Sequence, residues 1–327
     1  MDIAKPAGGP REPTARDWLY LSSIAVFGGS SFSFIRLGVE TLEPATLAAG
    51  RMWVGAVLLL IIMVATGRSL PPLLERTEDG ARIDPRWRFM AAVGVVGYAI
   101  PFFLFPWGQQ TVPSGLAGIF MAFMPLATIA LAHAFTDEKL SVRKGVGFLI
   151  GFSGILMLIG PDALSGVASG SLLAQLAILT ASVCYAVAAV ITRRAPPMQA
   201  RSFSAGAVLI AATLLTPIAL AVGSPLDGWT PGSVTAVLFL GLFPTGLNAL
   251  LIILLVRSAG PGFMAFSNYI TPLIAVGLGA AAFGERLQAT SLFALAVILA
   301  GLAVSRSGAK PRRASPSFET PASRAPQ

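Results

Sequence analysis

Charge is scarce in this sequence: 12% of its 327 residues are Asp, Glu, Lys or Arg, about half the share of a soluble globular chain. Histidine and cysteine are rarer still, with one of each, His133 and Cys184. A lone cysteine excludes an internal disulfide, and the two residues are too few for a His/Cys zinc site. No G-x-x-x-x-G-K-[ST] phosphate loop is present, so the chain carries no ATP-driven engine of its own. A G-x-S-x-G elbow and a second histidine are also missing, which removes the usual routes to a hydrolytic site. Gly277-Leu278-Gly279 stands in an apolar run with no strand before it, so it is no dinucleotide fingerprint. The expectation is a protein that is not an enzyme and holds neither metal nor cofactor.

What the sequence has in abundance is apolar length. Hydrophobic residues make up 55% of it, and the mean hydropathy is +0.76. Spanning a bilayer takes about 20 apolar residues, and such runs fall near 17–37, 46–66, 87–107, 114–135 and 144–160. A second set follows near 171–192, 204–222, 232–256, 262–283 and 289–306. The pattern predicts an all-α integral membrane protein of ten transmembrane helices in contact with a lipid bilayer. Residues 1–16 form a cytoplasmic tail with no cleavable signal, 17–160 a first five-helix unit, 161–306 a second, and 307–327 a disordered cytoplasmic tail.

The net charge of +8 is not a nucleic-acid patch, because the basic residues are scattered between apolar runs. They order the topology instead. With the N-terminus inside, 20 of the 23 Lys and Arg residues fall on inner segments, leaving Arg36, Arg51 and Arg286 outside or within the membrane. Both termini are therefore expected in the cytoplasm, in the manner of a bacterial inner-membrane protein. Trp18, Trp87, Trp107 and Trp229 sit at predicted interfaces, where indole is favoured; Trp53, inside the second run, is the exception.

A shift of 147 positions lays Pro125 on Pro272, Glu138 on Glu285, Lys139 on Arg286, Leu140 on Leu287, Gly115 on Gly262 and Gly154 on Gly301. Five spans per copy is an odd number, so the second copy enters the membrane in the opposite sense. The charges agree: Arg143 and Lys144, on an inner loop, become Thr290 and Ser291 on an outer one. A second match sets Pro101 against Pro244 at an offset of 143.

In carriers built from inverted repeats the substrate sits near the midplane, beside helices loosened by Gly or Pro. Pro101, Pro125, Pro244 and Pro272 are the candidate breakers, and Ser30, Trp107, Gln109, Met124, Thr128, Asn248, Asn268 and Tyr269 the candidate substrate contacts. Asn268, Pro272, Ala275 and Gly279 form one helical stripe, and Met121, Pro125, Thr128 and Ala132 its counterpart; such stripes line pathways or let helices pack closely. Ser30 and its neighbouring serines suit backbone bonding as well as a ligand. Asn248 suits either a substrate or a helix clamp. Trp107 and Gln109 suit a solute entrance or an ordinary interfacial belt. His133 reads as a boundary residue before a proton relay, and Glu138 and Glu285 as caps or structural ion pairs before ion coupling. Arg51 is costly in hydrocarbon and is expected to pair with Glu40 or Glu43, with attraction of an anion as the second reading.

Met124-Pro125 followed by Asp137-Glu138-Lys139-Leu140, and Tyr269-Ile270-Thr271-Pro272 followed by Gly284-Glu285-Arg286-Leu287, resemble the motifs of the drug/metabolite transporter superfamily, specifically its ten-helix EamA family. Gly28-Gly29-Ser30-Ser31-Phe32 and Trp107-Gly108-Gln109-Gln110 are similar to that family too, and the likeness covers about 17–306. Asp137, where the family usually carries glycine, and the apolar run Leu250 to Val256, where tyrosine is frequent, depart from it. The resemblance implies a gradient-driven exporter or exchanger of a small polar metabolite such as an amino acid, with a proton or other ion as candidate coupling partner. Efflux of drug-like amphipathic cations is the alternative, and a membrane receptor or scaffold the non-transport one. Neither the substrate nor the oligomeric state follows from it.

Overall fold

The computed structural model describes residues 13–77, 80–135, 141–160, 170–223 and 228–306. Ten helices follow one another: α1 Ala15–Val39, α2 Pro44–Ala65, α3 Pro85–Gln109, α4 Ser114–Phe135, α5 Val142–Ile159, α6 Ser171–Arg194, α7 Ala200–Val222, α8 Pro231–Gly260, α9 Ser267–Phe283 and α10 Ala289–Arg306. Among the described residues nine of them are long and apolar enough to cross a membrane, and α9 is the shorter tenth. Their outward faces are apolar too, with Leu19, Ile61, Leu149 and Leu220 all exposed, as helices that are hydrophobic all round must be when lipid is their solvent.

Local chemistry sets the ends. Pro44, Pro85 and Pro231 each stand at the first helical position, where the missing N–H costs nothing and the fixed φ is already helical. Thr14 donates through its amide and hydroxyl to Asp17 at 2.9 and 2.7 Å, and Ser258 of α8 donates to the same carboxylate at 2.6 Å, so the start of α1 is tied to the end of α8. Gly284 closes α9 in the left-handed region at φ 62°, a conformation glycine adopts without penalty. Trp53, the tryptophan inside α2, donates to Thr216 of α7 at 2.9 Å, which accounts for a mid-membrane indole.

The polar 67–86 connection holds a two-stranded hairpin, β1 Leu74–Thr77 paired with β2 Gly80–Ile83. Asp84 then caps α3, accepting from the Arg86 amide at 2.9 Å and pairing with its guanidinium. Hydrogen bonding from Arg86 holds the Asp84 carboxyl below the usual carboxylate range. A depressed native pKa lends stability that is complete above the unfolded value, about 3.9, and is lost as pH falls through the native one. Asp84→Asn is therefore expected to flatten the decline in melting temperature between about pH 5 and pH 2; a decline parallel to wild type sinks the assignment.

Packing obeys a two-fold rule. Helices α2 and α7, α4 and α9, and α5 and α10 pair with their own repeat counterparts. The most extensive of the remaining contacts come in mirror pairs: α1 with α9 and α6 with α4; α1 with α8 and α6 with α3; α2 with α8 and α7 with α3. Exchanging each helix for the one five places along returns these leading pairs, as expected of inverted repeats. The chain is an all-α membrane bundle of two inverted five-helix repeats. The α5–α10 seam is glycine on both sides: a Cβ at Gly301 would stand 2.5 Å from the Gly147 carbonyl oxygen and 2.5 Å from the Gly151 amide nitrogen.

Both α3 and α8 contain a π-helical turn, Gly94–Ala99 and Gly241–Leu247. The two open at positions that keep the offset of 147, and glycine is required at each opening. Gly94 faces the Ala207 carbonyl and Ile210, and Gly241 the Arg51 carbonyl and Val54. The offset of 143 between Pro101 and Pro244 is therefore not the repeat relation: Pro101 follows the first π turn, whereas Pro244 lies inside the second.

Candidate functional site

Proline starts the chain of causes that builds the site. Pro244 has no N–H, so the carbonyl four residues back, at Leu240, has no α-helical donor, and the helix widens there into the π turn. The Thr245 hydroxyl also donates to the Leu240 oxygen, at 2.8 Å. Its own oxygen accepts from Arg51 Nη2 of α2 at 3.3 Å. A residue of the second repeat thus holds a guanidinium of the first.

Arg51 lies seven residues into α2, about 10 Å along the axis at 1.5 Å per residue, and is 4% exposed. Burial of this depth is expensive for a charge that lacks a partner. No carboxylate pairs with Arg51 among the described residues, so the expected ion pair with Glu40 or Glu43 is not formed. The helix turns Arg51 towards α8, away from the loop in which those residues stand. Of its five N–H donors, only the one on Thr245 finds an acceptor among the described residues, and Nε is buried without one among them. Its guanidinium carbon instead stands 4.3 Å from the centre of the Phe102 ring, a favourable cation–π distance.

Beside Arg51 a cavity of about 280 Å³ opens between the repeats at mid-depth. Its polar lining is Ser31 of α1, Tyr98 of α3, Tyr185 of α6, Asn248 of α8 and Thr271 of α9. Its apolar walls include Phe32, Phe102, Phe105, Met121 and Ile252. The rings interlock: Phe102 lies 6.1 Å from Tyr185, Phe105 6.1 Å from Tyr185, and Phe32 5.6 Å from Phe105. Asn248 Oδ1 is buried without a donor, and the Tyr98 and Tyr185 hydroxyls make no hydrogen bond with the described residues. A second recess, about 470 Å³ and bordered by Arg68, Arg86 and Gln199, lies among the connections at one end of the bundle, away from the repeat interface.

Of the candidate substrate contacts and helix breakers named from the sequence, Asn248, Pro101 and Pro244 line the cavity, together with Arg51 and with Met121 of the predicted stripe. The others lie elsewhere. Ser30 and Ser31 both turn back on their own helix, donating to the Val26 and Gly28 carbonyls at 2.7 and 2.6 Å, and of the two Ser31 borders the cavity. Gln109 is buried and donates to the Phe32 carbonyl at 2.8 Å; Trp107 is 38% exposed. Thr128 donates to the Met124 carbonyl at 2.9 Å, Tyr269 rests near Phe266, and Asn268 is half-buried outside the cavity. Pro125 and Pro272 are buried, each after a turn that interrupts its helix, at Ala122–Phe123 in α4 and at Ala265–Phe266 before α9. The stripe below Pro272 packs against α4: a Cβ on Gly118 would meet Ala275, and one on Gly279 would stand 2.9 Å from Ser114 Oγ. Sequence reasoning passed over Tyr98 and Tyr185, whose phenols inside apolar runs were the available signal.

At the bundle end where α1 finishes, Glu285 caps α4. Its carboxylate accepts from the Ser114 amide at 2.8 Å, the Ser114 hydroxyl at 2.9 Å and the Gly115 amide at 2.9 Å, and lies 3.5 Å from Arg36 Nη1. Glu138, its repeat counterpart, lies outside the described residues.

Comparison with known proteins agrees with this architecture. The EamA-like transporter family model matches residues 17–160 and again 172–307, one match per repeat. The chain is 30% identical over 285 residues to the uncharacterized inner membrane transporter YedA of Escherichia coli K12, covering 85% of this chain and 87% of that one. It is 21% identical to the uncharacterized transporter YoaV of Bacillus subtilis 168, covering 87% of this chain and 94% of that one. A solved structure titled only "Crystal structure of protein" superposes with a TM-score of 0.61 at 19% identity, covering 89% of this chain and 98% of the other; at that identity the likeness speaks of fold alone. Matched in both repeats over nearly the whole bundle, the chain belongs to the EamA-like transporter family.

Proposed function

We propose that the protein is a gradient-driven carrier that exports or exchanges a small polar metabolite, with both termini in the cytoplasm of a bacterial inner membrane. One observation carries the reading: the mid-depth cavity is walled by both inverted repeats, and Arg51 Nε and Asn248 Oδ1 on its lining are buried with no hydrogen-bond partner among the described residues. Groups buried at such a cost are retained where a ligand completes them. The π turns of α3 and α8, and the interrupted α4 and α9, give the wall helices places to bend, in keeping with alternating access by rocking of one repeat against the other. A volume of about 280 Å³ lies at the lower limit of ligand sites, which run from about 300 to 1,000 Å³, and fits a metabolite of amino-acid size.

Reconstitution into liposomes followed by counterflow tests the proposal. Radiolabelled solute is expected to accumulate against preloaded unlabelled solute for at least one member of a panel of amino acids, hydroxy acids, sugars and cationic drugs. Flux equal to that of empty vesicles for every member removes the carrier reading. Saturable exchange distinguishes a carrier from a channel, which passes ohmic current.

A further inference from the structure

The cavity is not neutral. Among the described residues Arg51 is the only charged one in its lining, and no acidic side chain among them stands there to balance it. The repeat makes this unlike a packing accident. Gly241 meets Arg51 and Val54 in the same way that its counterpart Gly94 meets Ala207 and Ile210, so the position equivalent to Arg51 in α7 is an alanine. The two-fold frame is satisfied by a small residue, and the first repeat places a guanidinium there instead.

We infer that the transported metabolite bears a carboxylate that docks on Arg51, with a hydrogen-bond donor beside it facing Asn248 and an apolar body against Phe32, Phe102 and Phe105. This rests on the carrier reading above and narrows its cargo. The stoichiometry of polar groups carries the inference. A guanidinium offers a planar fork that matches a carboxylate, and four of its N–H donors are unused here. Asn248 Oδ1, unpaired and on the same cavity, asks for an N–H or O–H from the ligand. Ordinary protein chemistry meets such needs with a neighbouring Asp or Glu; among the described residues no carboxylate pairs with Arg51, and the cavity adjoins it. The same field repels an amphipathic cation, since a positive ligand would meet an uncompensated positive charge in a site of low dielectric.

The test uses three solutes with one apolar body: 2-hydroxy-4-methylpentanoate, leucine and leucinamide, in which the carboxylate is replaced by a neutral amide. Binding to the purified full-length protein in nanodiscs and counterflow in liposomes are both measured, for wild type, Arg51→Gln and Arg51→Lys. At least one of the two carboxylates is expected to bind and exchange, and leucinamide to do neither. Arg51→Gln is expected to weaken carboxylate binding by about ten- to a hundredfold, the range for a lost charged hydrogen bond, and Arg51→Lys by less. Because Arg51 is buried and largely unsatisfied, Arg51→Gln should melt no lower than wild type without ligand, whereas a structural anchor would melt lower. Should Arg51→Gln fail to fold, Asn248→Ala reads the same site: carboxylate binding should fall while leucinamide stays inert. Transport of leucinamide at the carboxylate rate, or carboxylate exchange unchanged in Arg51→Gln, overturns the inference and leaves the carrier standing. Counterflow of other panel solutes with no carboxylate among them does the same, and absence of all flux strikes the carrier itself.

Discussion

Gly301→Leu is expected to abolish assembly of the bundle, leaving no monodisperse protein after extraction into mild detergent. Helix association in a bilayer draws on close packing rather than on exclusion of water, so a seam of glycines is where the two halves gain most by approaching. At Gly301 the nearest atoms to an added Cβ are the Gly147 carbonyl oxygen and the Gly151 amide at 2.5 Å, then the Gly151 Cα at 2.8 Å. All three are backbone, which cannot rotate away as a side chain can. Overpacking costs about 1–3 kcal/mol even where side chains are free to move, and a leucine here requires α5 and α10 to separate along their length. Gly301→Ala is expected to fold with a lowered melting temperature. Gly277→Leu is the control, because nothing lies within 4 Å of its would-be Cβ; it should behave as wild type. Size-exclusion profiles and melting curves of the three variants decide the matter, and a monodisperse Gly301→Leu with wild-type melting refutes it.

The repeat was legible in the sequence, where Gly154 and Gly301 share the offset of 147 with the two prolines and the two glutamates; that Gly301 packs on Gly147 and Gly151 was not. Span number and inversion were legible for a similar reason: hydropathy and loop charge are written in one dimension. The side chains around the cavity were not, and the reason is angular. Successive residues on a helix point about 100° apart, so of Ser30 and Ser31, both bonded to carbonyls of their own helix, one borders the cavity and the other does not. Which of them faces the cavity is decided by where α8 and α9 press on α1, a relation between residues more than 200 apart. Arg51 illustrates the same limit. Glu40 and Glu43 are its neighbours in sequence, but Thr245, at a separation of 194 residues, is its neighbour in space. The Pro101–Pro244 match failed for another cause. The two prolines occupy different places relative to equivalent π turns, Pro101 after the first and Pro244 within the second, so residue identity pairs them where the fold pairs Gly94 with Gly241.

Glu285→Ala is the substitution expected to alter the conformational cycle most. One carboxylate, 6% exposed, satisfies two backbone amides and a hydroxyl at the start of α4 while facing Arg36 at the end of α1. It thereby fastens the loop after α9 to two other helices at a single end of the bundle. A buried donor left without its acceptor costs about 1–3 kcal/mol, and the positive end of a helix loses its counter-charge as well, so two stranded amides destabilise the closed arrangement of that end by several kcal/mol. Glu285→Gln keeps one acceptor oxygen and the side-chain volume, which places it between alanine and wild type. In a carrier whose two ends open in turn, loosening one end shifts the population towards conformers open there. The readout is a cysteine placed at Ile35, which lines the cavity, in a Cys184→Ala background, labelled with a membrane-impermeant maleimide. Labelling is expected to accelerate in the order wild type, Glu285→Gln, Glu285→Ala, with melting temperatures falling in the same order. Equal labelling rates with lowered melting would make Glu285 a helix cap and nothing more, whereas faster labelling identifies the same carboxylate as the fastening that keeps this end of the cavity shut.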